Sequence, residues 1–66
     1  MNYLAAYEAH DKKGETWKGN IYFEASYLTK FVIDEVKSRQ VRLLKDQGAP
    51  VDQNDIVITF ISELAA

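Results

Sequence analysis

The run Asp55-Ile56-Val57-Ile58-Thr59-Phe60-Ile61-Ser62-Glu63-Leu64 is the most apolar stretch of this chain. A strand covered on one side alternates apolar with polar residues. Here Ile56, Ile58 and Phe60 fill one phase, while Val57 and Ile61 fill the other. If the first set meets a helix, then Val57, Thr59 and Ile61 face the far side of the sheet and need a cover of their own. Ser62 falls in the phase of Ile56, Ile58 and Phe60 and interrupts it.

The rest of the chain is too short to supply that cover as a second core. Its 66 residues form one expected domain, 1–66, in the size range that buries about 60% of the unfolded chain's surface. With no cysteine it has neither a disulfide nor a thiolate metal site to stiffen it, so stability must come from packing or from oligomerisation. A hydrophobic content of 47% with 27% charge is that of a folded soluble chain, not a disordered one. The opening Met1-Asn2-Tyr3-Leu4-Ala5-Ala6-Tyr7-Glu8 lacks the basic start and apolar core of a signal peptide, and no apolar run reaches the roughly 18 residues of a membrane span. A cytoplasmic location is expected, with no membrane partner. A net charge of -2 and a pI near 5.2 argue against a dominant phosphate-binding surface.

Two alternating stretches precede a helical one. From Asn2 to His10, Tyr3, Ala5, Tyr7 and Ala9 share a phase. From Thr16 to Glu24, Trp17, Gly19, Ile21 and Phe23 do the same, and these odd positions are the expected core face. Between them Asp11-Lys12-Lys13-Gly14 reads as a type I turn with Gly14 left-handed, which closes a hairpin. Gly19 leaves a gap in the second strand that a bulge, a cross-strand aromatic or a close helix could fill, a covering helix or Trp17 being the favoured choice. Ser26 is a candidate N-cap for a helix over about 27–47. Its apolar arc is Leu28, Val32, Val36 and Leu43, flanked by Ile33 and Leu44. Gly48 and Pro50 end it, and 49–54 reads as a polar connection into the last strand. The expected fold is therefore α+β, in the order β-β-α-β. A three-stranded antiparallel sheet in the order 2-1-3 carries one long helix on one face, and a parallel last strand in the order 1-2-3 is the alternative.

Few residues suggest chemistry. His10, the only histidine, stands beside Asp11, but no nucleophile, base and orienting group assemble around it, and a solvated turn histidine is the stronger reading. Gly14-Glu15-Thr16-Trp17-Lys18-Gly19-Asn20 matches no phosphate-binding fingerprint. Asp52 and Asp55 lack the further ligands and the glycine of a calcium loop. No catalytic residue, metal site, cofactor or small-molecule ligand is expected. Lys37, Arg39, Arg42 and Lys45 make the second half of the helix basic and could serve a nucleic acid, as could stacking by Tyr3, Tyr7, Tyr22 and Tyr27. The interleaved acids Asp34, Glu35 and Asp46 favour a solvated helix face instead. The better candidate is a protein interface on the sheet face away from the helix, built from Leu4, Tyr22, Val57, Thr59 and Ile61, or on the edge of the last strand. The expected partner is a second copy of the chain or another protein.

Asn2-Tyr3-Leu4-Ala5-Ala6-Tyr7, Lys13-Gly14, Trp17-Lys18-Gly19 and Ile56-Val57-Ile58-Thr59-Phe60-Ile61-Ser62-Glu63-Leu64 together resemble small, mostly uncharacterised phage and prophage proteins, which combine a hairpin, a helix and a last apolar strand. The helix here is longer than in that pattern. The resemblance implies a bacterial mobile-element origin and an accessory role such as binding a host protein, and it transfers no catalytic residue. The tail Leu64-Ala65-Ala66 resembles the ending of the bacterial tmRNA-added degradation tag.

Overall fold

A computed structural model describes residues 1–65; Ala66, the last residue of the tag-like tail, lies outside the described residues. The chain forms strand β1 (Asn2–His10), strand β2 (Thr16–Glu24), helix α1 (Lys30–Asp46), a 3-10 turn (Gln53–Asp55) and strand β3 (Ile56–Leu64). The sheet order is β2-β1-β3, with both pairings antiparallel and α1 on one face, so the α+β architecture expected from the alternation is the one adopted. Among the described residues no helix is long and apolar enough to cross a membrane.

The hairpin closes as its residues dictate. The Gly14 amide donates to the Asp11 carbonyl at 3.0 Å and Gly14 takes φ 84°, the left-handed geometry that glycine adopts without penalty. The Asp11 carboxylate holds the turn from inside: Oδ1 accepts from the Lys13 and Glu15 amides, and Oδ2 accepts from Trp17 Nε1, each at 2.9 Å.

The helix starts later than Ser26 suggests. Thr29 is the N-cap, and its hydroxyl accepts from the Val32 amide at 3.3 Å. Residues 25–29 are spent climbing from the sheet to the helix layer, about one helix diameter or roughly 10 Å away. At the other end the Ala49 amide reaches the Leu44 carbonyl and the Gly48 amide the Lys45 carbonyl, both at 2.9 Å, with Gly48 at φ 89°. This double closure satisfies the last carbonyls and turns the chain sharply back. As a result 49–54 is not a polar loop: Ala49 and Val51 are buried against Leu44 in the core.

The helix is also rotated from the expected arc. Val36 and Leu44 are buried and Val32 and Val41 pack beside them, whereas Leu28 and Leu43 are exposed. The inner arc is Val32, Val36, Gln40, Val41 and Leu44, at i, i+4, i+8, i+9 and i+12. It tolerates a polar residue because Gln40 Nε2 donates to the Tyr7 hydroxyl at 2.9 Å. Tyr7 also fills the gap at Gly19, its partner across the strands: a Cβ there would stand 2.9 Å from the Tyr7 ring. Neither the helix nor Trp17 takes that role. Ala5 and Ala9 are fully buried in the central strand. Tyr3 stacks on Phe23 with ring centroids 5.3 Å apart, and Ile21 and Ile58 join the two halves of the core.

Candidate interaction surface

The double apolarity of β3 is resolved by a bulge. Tyr7 pairs with Ile58 and the preceding Ala6 pairs with Phe60, so Thr59 is an extra residue on β3. One inserted residue shifts every later side chain to the other face. Ile56 and Ile58 point to the helix before the slip. After it Ile61, opposite the buried Ala5, packs with Tyr3, Phe23 and Val36. Two expectations are corrected together: Ile61 belongs to the helix side, and Phe60, expected to meet the helix, is 60% exposed.

The face away from the helix is laid out in cross-strand rows. Asn2 stands between Glu24 and Leu64, Leu4 between Tyr22 and Ser62, Ala6 between Asn20 and Phe60, and Glu8 between Lys18 and Val57. Leu4 lies half-buried at the centre, while Tyr22 (71%), Val57 (53%) and Thr59 are exposed around it. Four of the five sequence-derived interface residues therefore share this face. Phe60 and Leu64 belong there too, and the sequence pattern missed them because only the bulge turns them out. Ser62 was the available signal: a polar residue in the presumed inward phase fits a slip just before it.

The centre of the face carries no charge. A charge pair, Lys18 Nζ to Glu8 Oε1 at 4.0 Å, sits to one side. Beside that pair a shallow depression is lined by Ala6, Tyr7, Glu8, Lys18, Gly19, Asn20 and Thr59. The Thr59 hydroxyl is turned to the Ala6 carbonyl at 3.3 Å.

The other candidate groups are dispersed or committed. Arg39 and Arg42 line one surface hollow with Leu43 and Asp46, but Lys37 lies about 200° around the helix from Arg39. Lys45 acts electrostatically on Asp52, so the four cations do not converge. Lys12 Nζ contacts Asp52 at 2.9 Å; the hydrogen bond and opposite charge lower the Asp52 pKa and raise that of Lys12. Asp55 accepts from the Asp52 amide at 2.8 Å, capping the 3-10 turn. Asp11 does not orient His10. The Trp17 hydrogen bond and the two turn amides occupy its carboxylate and hold its pKa below the ordinary value against the opposing pull of burial. His10 Nδ1 lies 3.1 Å from Thr16 Oγ1 and Nε2 lies 3.7 Å from Glu8 Oε1, at an exposed strand end.

Tyr3 and Tyr7 are buried under the helix and present no ring to a ligand, while Tyr22 and Tyr27 are exposed. A further exposed group, Tyr27, Leu28 and Phe31, surrounds the start of α1. Among the described residues, no buried side-chain polar atom lacks a hydrogen-bond partner and no cluster of three or more His, Cys, Asp or Glu residues is present. The chain matches no family model, no curated protein and no solved structure.

Proposed function

We propose that this chain is a non-enzymatic protein–protein interaction module, acting through the sheet face opposite α1 as a homodimer or as the binder of a host protein. The observation that carries this reading is the uncovered face itself. Tyr22, Val57, Phe60 and Leu64 stand exposed around Leu4 and Ala6, and contiguous apolar patches mark interfaces more often than they stand open. The face is favoured over the β3 edge because a bulge bends and twists its strand, a common means of blunting an edge against pairing. The resemblance to phage and prophage proteins supports an accessory role in the cytoplasm of a bacterial host. Nucleic-acid binding through Lys37, Arg39, Arg42 and Lys45 is the rival reading, and their dispersal around α1 speaks against it.

The test is a Val57→Lys, Phe60→Lys double variant, compared with the wild type by light scattering and by affinity capture from host lysate. Both positions are exposed, so the fold should persist. Loss of self-association or of the captured protein is expected, and full retention of both by the variant overturns the reading.

A further inference from the structure

We infer that the outer edge of β2 pairs with the same edge of a second copy, antiparallel about a two-fold axis at Ile21, so that Lys18 of each copy lies opposite Glu24 of the other. This edge is a separate surface from the open sheet face, and neither reading depends on the other. Three observations lead to it.

The first is a row of unused main-chain groups. β2 is an outer strand of the sheet. Its ladder with β1 is bracketed by two bonds, from the Asp11 amide to the Glu15 carbonyl at 2.9 Å and from the Ala25 amide to the Met1 carbonyl at 3.0 Å. Hydrogen-bonded pairs recur at every second residue of an antiparallel ladder, so Trp17, Gly19, Ile21 and Phe23 turn their amides and carbonyls to β1. Lys18, Asn20, Tyr22 and Glu24 turn theirs outward, and among the described residues no other backbone group bonds them.

The second is the regularity of that edge. All nine residues of β2 pair with β1 without a shift, whereas β3, the other outer strand, carries the bulge at Thr59. A bulge or a proline blunts an edge against pairing, and β2 has neither. Its remaining guard is an edge lysine, Lys18. Such a guard repels a second copy only in a register that sets it against another cation.

The third is charge, which selects both the occupant and the register. Outward-facing residues can pair only with outward-facing residues, so the possible registers step by two residues. The one centred on Ile21 alone sets Lys18 directly opposite Glu24, and symmetry makes that pair twice. It sets Asn20 opposite Tyr22 and brings no like charges face to face. Opposite charges across a ladder stabilise it, and like charges oppose it. Both groups are available: among the described residues Glu24 has no ion pair within its own chain, and Lys18 reaches Glu8 only at 4.0 Å. An unrelated extended strand would match the row of amides and carbonyls but not this reciprocal charge pattern. The two-fold axis stands perpendicular to the joined sheet, so both helices lie on one side and the two open faces run together on the other.

Sedimentation from about 10 to 500 micromolar tests the dimer, and cysteine cross-linking tests its register against a background free of native thiols. The wild type is expected to be dimeric at the upper end of that range. Lys18→Glu and Glu24→Lys should each raise the dimer dissociation constant at least about tenfold, because each creates two like-charge pairs. Combining them should return it to within about threefold of the wild type, since the pair is then only reversed. Both side chains are exposed, so the far-UV circular dichroism spectrum should not change. Mixing Asn20→Cys with Tyr22→Cys under mild oxidation should give a covalent heterodimer, because opposed residues stand about 5.5 Å apart at Cα. Either variant alone should cross-link poorly, its own copy being displaced two residues along the strand. A wild type that stays monomeric throughout overturns the inference. So does a dimer indifferent to the single charge reversals or not restored by their combination, and so does a mixed cross-link no stronger than the single ones. The Val57→Lys, Phe60→Lys variant of the open face stays dimeric in this arrangement, so its capture from lysate reads the face alone and the two failures are separable.

Discussion

Asp11 shows how one side chain fixes a local structure. Its two oxygens receive three donors, the Lys13 and Glu15 amides and the Trp17 indole, so the carboxylate closes the turn and anchors the first aromatic of β2. These donors depress its pKa, and the Lys12 contact does the same for Asp52. A carboxylate whose pKa is lowered by folding stabilises the native state above its unfolded pKa, about 3.9, and that contribution disappears as pH falls through the lower folded value. Unfolding midpoints should therefore be level near neutrality and decline below about pH 4. Asp11→Asn should lower the midpoint at neutral pH and flatten this acid decline, because an amide presents its NH₂ to at least one of the donors and no longer titrates. Urea titrations between about pH 2.5 and 7 would measure both effects. The indole bond could not be read from Asp11 and Trp17 six positions apart, although the turn itself was legible in Asp11 and Gly14. Tyr7 and Gly19 were individually visible on the correct face. A cross-strand aromatic was one of the fillers open at Gly19, but the choice of Tyr7 over the helix or Trp17 depends on the register that pairs the two residues.

At the scale of the elements, alternation and helical period were enough to give the order β-β-α-β and the sheet order, since both survive errors of a residue or two. Finer settings were not recoverable. α1 has apolar residues on more than one side, with Phe31 and Leu43 outside and Val36 and Leu44 inside, so adjacent arcs compete. The choice is made by Gln40 reaching Tyr7 and by the chain reversal that buries Leu44 against Ala49. The slip in β3 likewise requires a partner strand to define it. It makes a sharp prediction. Ile61→Lys places a charge in the core and should cost about 2–4 kcal/mol, while Phe60→Lys, one residue away, should change monomer stability by less than about 1 kcal/mol. Chemical denaturation at submicromolar protein would separate them, and equal costs would contradict the bulged register.

The whole molecule is a two-layer slab, helix on sheet, whose other sheet face has no covering layer. Among the described residues the largest fully buried side chains are Leu44, Ile56, Val36 and Val51, a small core for a chain without disulfides. Association through the β2 edge would couple stability to concentration. A tenfold increase in protein adds about 1.4 kcal/mol per mole of dimer, which for a chain of this size raises Tm by about 3–6 °C. Thermal melts across two decades of concentration should show that rise for the wild type and a flat response for Lys18→Glu. A flat wild-type response would argue against self-association. The uncovered face was legible in the sequence as an apolar surplus on the last strand, and most of its residues were placed correctly. The outward turn of Phe60 was not, because it exists only through the phase slip.

The place of β1 between β2 and β3 bears on how the chain assembles. β2 reaches β1 through a tight hairpin, a microsecond event, but the Thr59 hydroxyl that meets the Ala6 carbonyl comes from 53 residues along the chain, so its loop closes late and at greater entropic cost. During synthesis the hairpin and helix exist before the last strand is made. Until then one entire side of the central strand is an open hydrogen-bonding template, ready to accept β3 from its own chain or from a neighbour on the same message.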